Sequence, residues 1–163
     1  MAITKNDLIV LSHFRQDARC RLTSLSRTTG IPVSTLFDKL NAYKDGVVQK
    51  TISLLNFDAV GFGTHASVLL RCGKDRDSVK QYLLHHVLVN SLYKVNNGFD
   101  FLAECVFRNM KDLEAFVDHL RSSFDIKSSE VYYLVDNLKR EGFLADPSLV
   151  DMLLKEHPEH PSL

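Results

Sequence analysis

Apolar residues along this chain first recur every three or four positions, and later every two. Thr4 and Asp7 have the spacing of a capping box. Leu8, Leu11 and then Phe14 or Arg15 follow on one side of a first helix, which residues 16–18 interrupt. A second helix is predicted from about Leu22 to Thr29, with Leu22, Leu25 and Thr29 inward and the small Ser26 permitting close approach. Gly30 ends it by tolerating positive φ, and Pro32 opens a third helix where its missing N–H costs nothing. At 100° per residue, Val33, Leu36, Phe37, Leu40 and Tyr43 share one face of that helix. Ser34, Thr35, Asp38, Asn41, Ala42 and Asp45 share the other, and Gly46 stops it. Residues 47–57 are β-branched and partly alternating, as in a strand or small hairpin.

Beyond residue 63 the period changes. Strands are predicted over 64–73, 89–95, 100–108 and 128–136, with helices over 75–86 and 109–124. Asn97-Gly98 joins the middle strands, because a type I′ turn needs φ > 0 at both central positions. The expected fold is therefore α+β: an N-terminal winged helix-turn-helix over 1–54, a linker over 55–63, and a ferredoxin-like βαββαβ effector and dimerisation domain over 64–136. Residues 137–163 form a partly helical extension with a mobile tail containing His157 and His160.

One sheet face, with Ala66, Val68, Leu70, Cys72, Phe101, Ala103, Cys105, Phe107, Val131, Tyr133 and Val135, is expected under the helices. The other carries Leu69, Leu92, Leu102, Val106, Tyr132 and Leu134 among His65, Lys94, Glu104 and Arg108. An apolar patch of that extent marks an interface. A second copy would cover it, giving a homodimer; the alternative cover is the C-terminal segment, with Leu149, Met152 and Leu153 at helical spacing.

The 163 residues, 45% apolar and 25% charged, suit a soluble globular protein of one ordinary or two small domains. No apolar run reaches the roughly 18 residues of a membrane span, and residues 1–14 lack signal-peptide character. Three cysteines without CxxC spacing read as reduced thiols in a cytoplasmic protein. Net charge is zero but uneven. Residues 1–53 hold eight basic and four acidic side chains, and the remainder twelve and sixteen. Either chance or a polyanion partner for the N-terminal part accounts for this. No P-loop, GxGxxG, Ser/His/Asp motif or zinc-type Cys/His spacing is present, so no enzyme activity, cofactor or metal is expected.

The order of these motifs resembles the leucine-responsive/asparagine-regulator (Lrp/AsnC) family of transcription regulators, most closely its archaeal branch. The resemblance rests on 7–19 for the first helix, 22–40 for the helix-turn-helix, 45–62 for the wing and linker, and 89–116 for the effector hairpin and helix. It implies a regulator of double-stranded DNA that dimerises, often assembles further, and often responds to an amino acid. Residues 34–41 would then be the recognition helix. Ser34, Thr35 and Asn41 would meet base edges, with Arg21, Arg27, Lys39, Lys44 and Lys50 on the phosphates. Asp38 would accept from cytosine or hold a neighbouring cation. Asn97, Gly98, Phe99 and Asp100 would shape an effector site, although Asp100 also suits a plain hairpin cap. Tyr43-Lys44 stands where the family usually has leucine-glutamate, and Asn97 replaces a common glycine. Two alternatives remain: a tetrapyrrole decarboxylase-like enzyme on the same fold, and a ligand-binding assembly protein without DNA activity.

Overall fold

A computed structural model describes residues 3–156. Its chain divides into two compact units: residues up to 53 together with those from 138 on, and residues 54–137.

The first unit is built on three helices, α1 (Lys5–Gln16), α2 (Leu22–Thr29) and α3 (Val33–Lys44). The capping box forms: the Thr4 hydroxyl accepts from the Asp7 amide, and the Asp7 carboxylate accepts from the Thr4 amide at 2.8 Å. Gly30 ends α2 at φ +73°, a conformation its missing Cβ makes inexpensive. Val10, Leu11, Leu25, Leu36 and Tyr43 are buried together, with Phe14, Leu22, Ile31, Leu40 and Leu144 packed around them. The C-terminal segment belongs to this unit. A short 3-10 turn, Pro147–Leu149, leads into α6 (Val150–Glu156). Val150 is buried, and ion pairs Lys5–Asp151 (2.6 Å) and Arg15–Glu141 (2.8 Å) join the segment to α1. His157 and His160 lie outside the described residues.

Asp7 does more than cap. It is 1% exposed, and the same carboxylate accepts from the Tyr43 hydroxyl and pairs with the Lys39 ammonium on α3, both at 2.5 Å. Burial alone would raise its pKa. The bonds from Lys39, Thr4 and Tyr43 outweigh that effect and hold the carboxyl well below its ordinary 3.8. Burial and the neighbouring carboxylate push the Tyr43 hydroxyl upward, so it remains a donor.

The wing predicted over 47–57 is not formed as strands. The Val47 and Val48 amides both bond back to the Tyr43 carbonyl, at 2.9 and 2.8 Å. Residues 48–56 then run without ladder partners, exposing Ile52, Leu54 and Leu55. β-Branched composition stabilises a strand only where a neighbouring strand supplies the pleated surface.

The second unit is a four-stranded antiparallel sheet with two helices. In chain order it has β1 (Thr64–Cys72), α4 (Arg76–His85), β2 (Val89–Lys94), β3 (Phe101–Phe107), α5 (Met110–Ser123) and β4 (Ile126–Tyr133). Strand order β2-β3-β1-β4 makes this the expected split βαββαβ arrangement. Asp75 caps α4 through Ser78 N–H (3.2 Å), and Asn109 caps α5 through Asp112 N–H (3.0 Å). Alternate residues of β1 and β3 are buried under the helices, where they meet Val79, Leu83, Leu113, Phe116, Val117 and Leu120. Cys105 lies in this core, and burial, with Glu104 adding to it, raises its thiol to about 12, so it stays protonated.

Two assignments on the open face change. Leu92 pairs with Ala103 and Lys94 with Phe101, so both side chains lie on the helix side, and Leu92 packs against the core. The register slips between Val89 and Ser91, and one extra residue exchanges the two faces of a strand. Tyr93, opposite Leu102, takes the open-face position.

Replacing Asp7 with Ala leaves the Tyr43 hydroxyl and Lys39 ammonium without their acceptor. It should cost about 2–4 kcal/mol of unfolding free energy. Because the folded carboxyl is depressed, its stabilisation is complete above pH 3.8 and is lost as pH falls below it. Urea unfolding of the full chain between about pH 6 and pH 2 should therefore show a steeper acid loss for wild type than for Asp7→Ala. Equal slopes, or a cost near the roughly 0.5 kcal/mol of a surface change, would refute this role.

Candidate nucleic-acid interface

Helix α3 is fixed to its unit along one side only. Leu36 and Tyr43 are fully buried and Leu40 is half-buried, while Ser34, Thr35, Asp38 and Asn41 are exposed. Pro32 stands at the N-cap and provides no side-chain cap, so the first-turn amides receive no capping bond from it. Arg21, at the start of α2, and Arg27, in its last turn, are exposed, as are Lys44 and Lys50. Lys44 Nζ donates to Asn41 Oδ1 at 3.2 Å, which orients the amide on the outer face.

Two residues of this helix depart from the sequence pattern. Lys39 turns inward to Asp7, with 28% of its side chain exposed, so its charge is already partly neutralised. Asp38 takes no partner among the described residues, and Lys39 is held by Asp7 rather than by its sequence neighbour. Helical periodicity places Phe37 and Val33 on the buried face, yet they are 57% and 40% exposed. The buried stripe is narrower than the pattern suggested, because Leu36, Leu40 and Tyr43 suffice to close the packing against α1 and α2. Asp7, a capping residue in the sequence pattern, also holds Lys39 inward; positions 7, 10, 11 and 14 form one helical stripe, in which Asp7 is the polar member among three apolar residues.

In the second unit, Asn97 (φ +63°) and Gly98 (φ +91°) form the expected left-handed turn and are exposed. Phe99 and Asp100 are half-buried. Asp100 is fully engaged. Oδ2 accepts from the Cys72 amide at 2.7 Å, and Oδ1 pairs with Arg76 Nε at 3.1 Å. It thereby joins the β2–β3 connection to the end of β1 and the first turn of α4. None of these four residues lines the cleft of about 370 Å³ beside α4 and α5, which is formed by Tyr82, His86, Leu88, Asp112, Ala115, Phe116 and His119. Burial, and then the nearby His119, lower the pKa of His86, which is neutral at pH 7.

On the open sheet face Leu69, Leu102 and Val106 are half-buried, and Tyr93, Tyr132 and Leu134 are about half exposed. His65 and Arg108 are occupied at the edge of this face. His65 Nε2 lies 3.1 Å from the Phe62 carbonyl, and the Arg108 guanidinium stacks 5.4 Å from the Phe62 ring centroid. Lys94 pairs with Phe101 on the helix side, so His65, Lys94 and Arg108 do not share one sheet face. Among the described residues no group of three metal-ligating side chains occurs.

Comparison with known proteins gives this arrangement a lineage. Residues 66–143 match the family profile described as the Lrp/AsnC ligand binding domain. The HTH-type transcriptional regulator FL11 of Pyrococcus abyssi is 22% identical over 125 residues, covering 75% of this chain and 82% of that protein. Among solved structures, transcriptional regulator NMB0573 of Neisseria meningitidis, in complex with L-Met, is similar with a TM-score of 0.76 and 21% identity. That match covers 83% of this chain and 92% of the other. The feast or famine regulatory protein Rv3291c from M. tuberculosis, complexed with L-methionine, gives 0.79 and 21%, covering 86% and 97%. The fold is shared along nearly the whole length of those chains, and residues 66–143 belong to the Lrp/AsnC ligand-binding-domain family.

Proposed function

We propose that this protein is a sequence-specific transcription regulator in which α2 and α3 form a DNA-reading helix-turn-helix and the βαββαβ unit dimerises and senses a small molecule. The observation that carries the reading is the one-sided attachment of α3. Its buried stripe is complete without Ser34, Thr35 and Asn41, which leaves the two hydroxyls and the Asn41 amide N–H groups to bond base edges. The uncapped first turn supplies amides and a positive helix end for a phosphate. Arg21, Arg27, Lys44 and Lys50 supply the screening-sensitive part of the affinity. Lys39 serves mainly as a strut to Asp7.

Several further features support the rest of the reading. The Lrp/AsnC profile match supports a ligand-binding role for the second unit. Two similar structures hold L-methionine, so an amino acid is the ligand class to test first. The Asn97–Asp100 connection is the proposed contact region. Because Asp100 is already tied to Cys72 and Arg76, it would act by shaping the loop rather than by receiving an ammonium group. The half-buried Leu69, Leu102 and Val106, with Tyr93, Tyr132 and Leu134, support a sheet-to-sheet homodimer.

Duplex DNA carrying the protein's own promoter region should bind at low salt, and log K should fall linearly with log[salt]. Arg27→Ala and Lys50→Ala should each weaken binding and reduce the magnitude of that slope by about one. Fluorescence anisotropy across a salt series checks this, and no duplex binding at low salt would defeat the proposal.

For the sheet interface, Leu102→Asp combined with Val106→Asp should convert a dimer into a folded monomer, read by sedimentation and circular dichroism. A wild-type monomer at micromolar concentration, or an unchanged dimer in the variant, would refute it.

A further inference from the structure

The exposed Phe37 has no structural task in its own unit. Leu36, on one side of it in the sequence, is 0% exposed, and Leu40 and Tyr43 complete the buried stripe; Phe37 itself is 57% exposed. On a helix, residues three and four apart are neighbours, so its ring stands beside Ser34 and Asn41, and Val33 extends the same apolar strip toward the first turn. An apolar ring is thus set among the hydrogen-bonding groups of the outer face.

In the major groove the base edges present donors, acceptors and a single apolar group, the C5 methyl of thymine. Ser34 and Asn41 are matched to the donors and acceptors. Phe37, with Val33 behind it, is matched to the methyl. We infer that Phe37 is a specificity-determining residue that reads thymine through its C5 methyl group. This rests on the reading of α3 as the DNA-contacting helix. It adds a base preference to that reading: at least one thymine in each half-site, opposite the N-terminal half of α3. It also gives Phe37 a role unlike that of Arg27 or Lys50. Losing Phe37 relaxes base choice, whereas losing a phosphate-contacting cation weakens all sequences alike.

The test uses the full-length protein and duplexes it selects from a random-sequence pool. Each thymine of the selected half-site is replaced in turn by uracil, which keeps the base pairing and removes only the methyl. For wild type, uracil at one position should weaken binding by about fourfold, as expected for one methyl withdrawn from an apolar contact. Phe37→Ala should bind the thymine and uracil duplexes equally, and Phe37→Leu should retain part of the discrimination. Circular dichroism and sedimentation of both variants should match wild type.

If duplexes are selected but uracil is neutral at every position, the inference fails while DNA reading stands. The same holds if Phe37→Ala discriminates as well as wild type. If Phe37→Ala alters the oligomeric state without altering thymine preference, the ring serves a protein contact and the inference is again overturned. If no duplex is enriched at all, the DNA reading itself fails, and this inference with it.

Discussion

The N-terminal unit depends on one buried carboxylate. Asp7 closes the first turn of α1 with Thr4 and reaches α3 through Lys39 and Tyr43. Three small helices bury too little apolar surface to fix their own geometry closely, so a polar tie with every partner satisfied narrows the choices. A buried ion pair contributes modestly to stability but strongly penalises arrangements that separate its members. Here those arrangements are the ones that would rotate α3 about its axis. The tie therefore sets which residues of α3 face outward, and through that the whole candidate interface.

Lys39 shows the consequence for charge. A lysine on a helix proposed to meet DNA would ordinarily be assigned to a phosphate. Its ammonium instead meets Asp7 and is only 28% exposed on the side chain. The outer face keeps hydroxyls, an amide and a phenyl ring, with cations at its margins. Such a face favours discrimination between bases over indiscriminate attraction to the backbone. In the second unit Asp100 plays a comparable structural part, holding together the ends of three elements.

Much of this was legible in the sequence. The capping box, the Gly30 stop, the Asn97-Gly98 turn and the βαββαβ order each follow from local stereochemistry, and local stereochemistry is what sequence encodes most directly. The departures share a cause: each depends on a partner distant in the chain. The wing over 47–57 had strand-like composition but no neighbouring strand. Leu92 and Lys94 changed face because a one-residue slip between β2 and β3 is invisible in either strand alone. Phe37 lay outside the core because the width of a buried stripe is set by the helices it meets, and periodicity supplies only its centre. For the same reason Asp7 was visible as a cap and not as a tie.

The function proposed for the outer face of α3 is to read DNA. Titration of an isotope-labelled full-length chain with a selected duplex, followed by amide chemical shifts, tests it most directly. The largest shifts should fall on residues 33–41, with smaller ones around Arg21, Arg27 and Lys50. Shifts confined to residues 64–133, or none at all at saturating duplex, would contradict it.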